Sequence, residues 1–295
     1  VTYDASLRPN DWDSFIGQQV LKERLQISID SAVMRNAPLD HVLLYGPPGV
    51  GKTTLAQLIS GELMQKLTQR VCPVPLKLLY ALIMEVGDVI FLDEIHRLPK
   101  KDQESLLPVL EDRMIQFDNG NFQPIANPFT IIGATTELSS IIKPLRDRFI
   151  HKPKFEDYTA EDMQQIVTQM CRRVGMDIDH HNAFRLGIAS AGVPRQARNL
   201  VLAARDVEST EVEDVLKVTG ITEEGYTEDH LQYVRALHKL GGTAGVEVLS
   251  NYINQPKDVI LDLELLLVKR GVLTYTPKGR SMLLLGLAVL DKYGY

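Results

Sequence analysis

Residues 46–54, Gly-Pro-Pro-Gly-Val-Gly-Lys-Thr-Thr, set two glycines, a lysine and a hydroxyl in the order G-x-x-x-x-G-K-[ST]. Such a run suits a polyphosphate. Glycines let backbone N–H groups wrap an anion, and a helix opening at Lys52 adds the partial positive charge of its N-terminus. Lys52 is then placed to reach β- and γ-phosphates, and the Thr53 hydroxyl to ligate Mg²⁺. The apolar run before the motif (41–46) and the helical pattern after it (52–67) supply the strand and helix it requires. ATP is therefore expected on Gly46, Pro47, Pro48, Gly49, Val50, Gly51, Lys52, Thr53 and Thr54.

Asp93 and Glu94 end a second apolar run, 88–94. Standing alone, an acidic pair there fits a helix cap or a solvated turn. Behind a phosphate loop the hydrolytic roles take precedence: Asp93 holds Mg²⁺, directly or through water, and Glu94 orients and polarises the attacking water. Thr135 and Thr136 close a third apolar run, where a hydroxyl can bond the water or the γ-phosphate. Arg146 and Arg148 flank Asp147 and admit two readings. One is a surface pairing of little energetic worth. The other is that one of them is an arginine finger, which reaches a neighbouring subunit's γ-phosphate and adds orders of magnitude in rate. Arg195, after Pro194 at the start of a helical stretch, either reports the bound phosphate or is a helix-surface cation.

The elements that must position these groups follow from periodicity. Continuous apolar runs alternating with helical stretches indicate an α/β core with a parallel sheet covered on both faces. After residue 149 the β signal stops. Stretches 159–175, 181–191 and 194–207 are amphipathic, the first opening with Thr159 and Asp162 at capping-box spacing. A polar linker, 219–230, precedes three helical stretches and two short strands around Pro277-Lys278-Gly279, the layout of a winged helix. The expected division is a nucleotide-binding core over 1–151, a helical lid over 152–222 and a winged-helix domain over 223–295.

Residues 114–125 alternate apolar and polar around Asn119-Gly120, a dipeptide suited to a two-residue hairpin turn with φ > 0 at both positions. That turn would set Phe117 opposite Phe122, as a partner-docking finger or as a packed surface pair. In the winged helix, Asp258, Asp262 and Glu264 on the third helix would repel phosphate, so insertion of that helix into a major groove is not expected. Lys278, Arg280 and Tyr275 of the wing are the candidate DNA contacts, to the backbone and without sequence preference. A winged helix serving protein contacts is the other reading. His180-His181 read as solvated helix-start residues, and His96 is assigned no metal role.

A formal net charge of −6 argues against a chain coated in phosphate-binding cations but leaves local patches open. Cys72 and Cys171 fit neither a zinc spacing nor a disulfide framework and read as buried thiols of a reducing compartment. The longest apolar run, 282–290, is too short to span a bilayer, and no secretory signal opens the chain, so no membrane partner and a cytoplasmic location are expected.

The motifs in this order, with "LDHVLLYGPPGVGKTTLA", "GDVIFLDEIHRL", "PFTIIGATT", "PLRDRF", "GVPRQARN" and "GVLTYTPKGR", resemble the AAA+ ATPases and, more closely, the RuvB family that drives branch migration of Holliday junctions. The likeness runs from residue 7 into the wing. It implies a hexameric ring around duplex or four-way-junction DNA with each ATP site at a subunit boundary. It further implies Leu7, Arg8, Ile16 and Gly17 near the adenine, with Tyr158 lining the pocket from the lid. Thr135 matches the sensor-1 region, Arg148 the finger and Arg195 sensor 2. An ATP-switched initiator or clamp loader uses the same site and is the alternative. Residues 64–87 lack the Ser-Gly-Pro-like element expected there, so that strand's alignment stays open. In the family the hairpin is longer and binds RuvA; here it is shorter, and a RuvA-like partner is left open.

Overall fold

The computed structural model describes residues 7–86, 88–117 and 120–294, which cluster into two compact units. The first comprises the chain to Asp162 together with Val193–Arg195, and the second the remainder.

In the first unit, helix α1 (Gln19–Met34) leads to strand β1 (Val42–Tyr45), whose first three residues are buried. Then come α2 (Lys52–Glu62), β2 (Leu67–Val71), α3 (Leu76–Val86) and β3 (Val89–Asp93). Two short helices, α4 (Lys100–Ser105) and α5 (Leu107–Glu111), follow, split where Pro108 enters. The hairpin β4 (Met114–Gln116) and β5 (Phe122–Pro124) precedes β6 (Thr130–Thr135) and α6 (Lys143–Arg148). The large sheet is parallel in the order β1-β6-β3-β2. Its central strands β3 and β6 are apolar and buried nearly throughout, as strands covered on both faces must be.

Two parts of the sheet lie outside the sequence expectation. Strand β2 forms within the unaligned 64–87 stretch and pairs with β3 in register, Val71 against Asp93. It is an edge strand and only partly covered, so its apolar signal is weak. The β signal also does not stop at residue 149: His151 bridges Val42 and Lys154 bridges Tyr45, in parallel, along the free side of β1. Pro153 interrupts this edge, where a missing N–H is tolerated.

The hairpin departs from its expected register. Gly120 N–H donates to Phe117 O and Phe117 N–H to Asn121 O, with Gly120 at φ 80°. Phe117 and Asn121 therefore close a three-residue connection, with glycine in the left-handed position of a G1-type bulge. The odd loop length shifts the pairing by one, so Phe122 stands opposite Gln116 and not Phe117. Asn119, half of the expected turn, lies outside the described residues. Ile115 and Ile125 anchor the hairpin base in the core, while Phe117 and Phe122 stay exposed.

The second unit holds the helical segment: α7 (Ala160–Arg173) from Met163 on, α8 (His180–Ala189), α9 (Pro194–Asp206) from Gln196 on, and α10 (Val212–Thr219). Thr159 and Asp162 form the reciprocal cap expected of them at the start of α7. The winged helix follows as α11 (Glu228–Lys239), β7 (Thr243–Ala244), α12 (Val246–Ile253), α13 (Lys257–Lys269), β8 (Leu273–Thr276), β9 (Gly279–Met282) and α14 (Leu284–Tyr293). The sheet order is β7-β9-β8. Within this unit Arg270 donates to the carbonyls of Ile188 and Glu224, tying the winged helix to the end of α8. The terminal helix α14 had no counterpart in the sequence reading. No helix among the described residues is long and apolar enough to cross a membrane.

Glu264 corrects the reading of the wing. It does not face outward from α13 but is fully buried. Its carboxylate accepts from Tyr233 Oη (2.9 Å), Tyr275 Oη (2.9 Å) and Arg280 Nε and Nη2 (2.8 and 3.2 Å). A buried carboxylate is tolerated only when compensated in this way. Arg280 is thus committed to an internal ion pair, with its guanidinium 5.4 Å from the Tyr275 ring centroid. Tyr275 turns its hydroxyl inward while its ring stays exposed. Lys278 sits exposed on the turn between β8 and β9.

Candidate nucleotide and hydrolysis site

Parallel strands bring their C-terminal ends to one edge of the sheet, and the chemistry collects there. In register, Tyr45 of β1 lies beside Thr135 of β6, and Leu92 of β3 beside Gly133. The loop that follows Tyr45, the Asp93-Glu94 pair and Thr135 therefore share that edge.

The loop from Gly46 to Gly51 reverses the chain before α2. Two of its glycines are required by contact as well as by φ. A side chain at Gly49 (φ 78°) would meet Val193 Cγ1 at 2.8 Å and Arg195 Cβ at 3.1 Å, and one at Gly51 (φ 107°) would press on the Phe15 ring. Arg195 N–H donates to Gly49 O at 3.3 Å, so Val193, Pro194 and Arg195 are laid directly on the phosphate loop. Lys52 is buried and donates to Gly46 O (2.8 Å) and Pro47 O (2.7 Å). Burial lowers its pKa, opposed by Glu94 and Asp93, while Arg195 adds to the lowering. Those couplings put Lys52, both carboxylates and Arg195 within electrostatic reach of one another. Asp93 is pushed up, first by burial and then by Glu94. A cation at this edge would offset the burial of Asp93 and its repulsion by Glu94.

Of the adenine-side residues named by resemblance, Gly17 and Tyr158 come together beside the phosphate loop. Tyr158 Oη donates to Val50 O at 2.8 Å, and a side chain at Gly17 would come within 2.9 Å of the Tyr158 ring. Burial raises the Tyr158 pKa, so the phenol is neutral. Leu7 is buried; Arg8 and Ile16 are partly exposed. Two neighbours carried no signal of their own. Phe15 packs under Gly51, and Gln18 clamps Glu156 by a reciprocal side-chain-to-backbone pair, 2.7 and 2.9 Å.

Glu94 takes a left-handed backbone, φ 51° and ψ 49°, which costs a non-glycine residue about 1–2 kcal/mol. That bend ends β3 and starts the short 3₁₀ turn Ile95–Arg97. Its Oε2 accepts from Thr136 Oγ1 (3.1 Å) and Thr136 N–H (3.3 Å) and lies 3.2 Å from His96 Nδ1. Buried Thr135 receives the Glu137 N–H on Oγ1 at 2.9 Å. Cys72, at the end of β2, is buried with its thiol pushed up to about 12 by burial, then by Asp93 and Glu94, and is chemically quiet.

The residues present fit Mg²⁺. The ion prefers hard oxygen ligands and binds through one or two carboxylates with substrate phosphates and waters. The Thr53 hydroxyl at the start of α2 and the Asp93 carboxylate are donors of that kind. Among the described residues no larger His/Cys/Asp/Glu cluster competes for the metal.

Arg148 is not paired with Asp147. Its Nε donates to Glu111 Oε2 at 2.9 Å, Nη2 reaches the same oxygen, and Nη1 donates to Pro144 O at 3.3 Å. Glu111 ends α5 and Arg148 ends α6, so the guanidinium is oriented at the surface of the core. Such a partly exposed pair is worth about 0–1 kcal/mol and can be exchanged for another anion.

Two family models match the chain: the Holliday junction DNA helicase RuvB P-loop domain over residues 7–155, and the RuvB C-terminal winged helix domain over residues 223–291. Among solved structures, the Thermotoga maritima RuvB Holliday junction branch migration motor is similar at 32% identity and a TM-score of 0.85, covering 97% of this chain and 98% of that one. A variant of the same protein superposes at 31% identity and 0.86, with the same coverage.

Proposed function

The chain belongs to the RuvB family of AAA+ P-loop ATPases, and from that premise we propose that it is an ATP-driven motor that moves duplex DNA at Holliday junctions. The observation that carries this reading is the joint occurrence of an intact hydrolytic edge and a winged helix on one chain matching that motor nearly end to end. An initiator or clamp loader uses the same hydrolytic edge, and the end-to-end match favours the motor.

In this reading ATP lies along the Gly46–Thr54 loop, its adenine against Leu7, Arg8, Ile16, Gly17 and Tyr158. Lys52 exchanges its carbonyl partners for β- and γ-phosphate oxygens. Thr53 and Asp93 would hold Mg²⁺, which would neutralise charge on the phosphates. Glu94 aligns the attacking water, Thr135 reads the γ-phosphate, and Arg195, already laid on Gly49, follows the nucleotide state through Pro194. Arg148 serves the site of the next subunit in a ring, here taken as a hexamer. Lys278 touches the DNA backbone; the exposed Phe117 and Phe122 of the hairpin meet a junction-binding partner whose contact is smaller than the one RuvA makes with longer hairpins. The reading places the motor in the cytoplasm.

Branch migration of a synthetic four-way junction tests this. The expected result is ATP-dependent conversion of the junction to duplex products, by the protein alone or with a junction-binding partner. ATP-dependent DNA binding with no junction movement under either condition would overturn the motor reading in favour of a loader.

A further inference from the structure

Resting on the reading of Glu94 as the residue that aligns the water, we propose that His96 is a positioning residue for hydrolysis, holding the Glu94 carboxylate and the Thr135 hydroxyl in one network. Its imidazole Nδ1 lies 3.2 Å from Glu94 Oε2 and 3.0 Å from Thr135 Oγ1. The His96 side chain is only 10% exposed and that of Glu94 24%, so water competes weakly for either contact.

The chemistry of the partners assigns the tautomer. A carboxylate oxygen only accepts, so Nδ1 beside Glu94 carries the proton and shares it with Thr135 Oγ1. Thr135 then receives on Oγ1 from both His96 and the Glu137 N–H. Its own hydroxyl hydrogen is left to be donated, as a residue reading a phosphate oxygen requires.

Glu94 Oε2 in turn gathers Thr136 N–H, Thr136 Oγ1 and His96 Nδ1. Among the described residues no donor reaches Oε1. One carboxylate oxygen is thus anchored and the other is kept for the water, which is how a rigid group is aimed. The left-handed backbone at Glu94 makes this local. It folds the chain into the 3₁₀ turn, closed by Arg97 N–H to Glu94 O at 2.9 Å, and brings a side chain two residues along back to the carboxylate.

The test is steady-state ATP turnover and nucleotide binding by five proteins: parent, His96→Leu, His96→Asn, Glu94→Gln and the Glu94→Gln/His96→Leu double variant. His96→Leu is expected to lower kcat by about 10–100-fold at unchanged KM and unchanged nucleotide affinity. His96→Asn, whose amide N–H replaces Nδ1–H, stays within about threefold of the parent. In the Glu94→Gln background the leucine adds no more than about twofold, because both changes act on one group. A His96→Leu protein as active as the parent overturns the proposal. So does an asparagine variant as slow as leucine, or a leucine variant that loses nucleotide affinity in step with turnover. If Glu94→Gln itself turns over normally, the assignment of Glu94 fails instead, and the two failures are told apart.

Discussion

Arg148→Ala is expected to lower ATP turnover by about 10³-fold or more while nucleotide affinity and the fold are retained. In the isolated chain Arg148 rests on Glu111, at the surface of the core, in a pair worth little. Removing it therefore costs the monomer almost nothing. A guanidinium held on the end of α6 by a weak, exchangeable anion is suited to trade Glu111 for a phosphoryl oxygen in which charge develops. Contributions of that kind are realised chiefly in the transition state, so kcat falls and KM does not. Turnover assays with thermal unfolding as a control check this, and normal hydrolysis by the variant would return Arg148 to an ordinary surface ion pair.

Glu94→Gln should bind nucleotide as the parent does and hydrolyse it about 10²–10⁴-fold more slowly. The amide preserves the size of the side chain and still accepts from Thr136, so the 3₁₀ turn and the phosphate loop persist. What it loses is the charge that polarises water. Binding of a fluorescent ATP analogue beside single-turnover hydrolysis separates the two effects. Lys52 sharpens the expectation, since Glu94 is one of the groups supporting its charged form. Neutralising Glu94 leaves Lys52 with Asp93, a smaller change than losing the base.

The sheet edge that carries the candidate site was legible in the sequence because each of its parts is written locally. Gly46 to Thr54 is one contiguous run, and Asp93 and Thr135 end runs apolar enough to be central strands. Helix–strand alternation gave the core, and the reciprocal Thr159–Asp162 cap marked the first lid helix. What was not legible depends on partners distant in sequence or on parity. Glu111 is 37 residues from Arg148, and nothing local nominates it. Glu264 looked like an exposed acid on a helix until Tyr233, Tyr275 and Arg280 converged on it, which reversed the reading of Arg280. The hairpin failed on a single residue: three residues in the loop instead of two move Phe122 from Phe117 to Gln116. His96 carries no signal of its own in the sequence, because its contact with Glu94 depends on the left-handed bend.

The central claim is that each working site is assembled from two subunits, and mixing two inactive variants measures it most directly. Arg148→Ala contributes an intact Glu94 with no finger; Glu94→Gln contributes a finger with no base. If the finger acts across a boundary, equal amounts mixed at random place both groups together at roughly a quarter of the sites (one half times one half), and ATP turnover rises far above either protein alone. A mixture that stays at the background of its separate components would contradict the account.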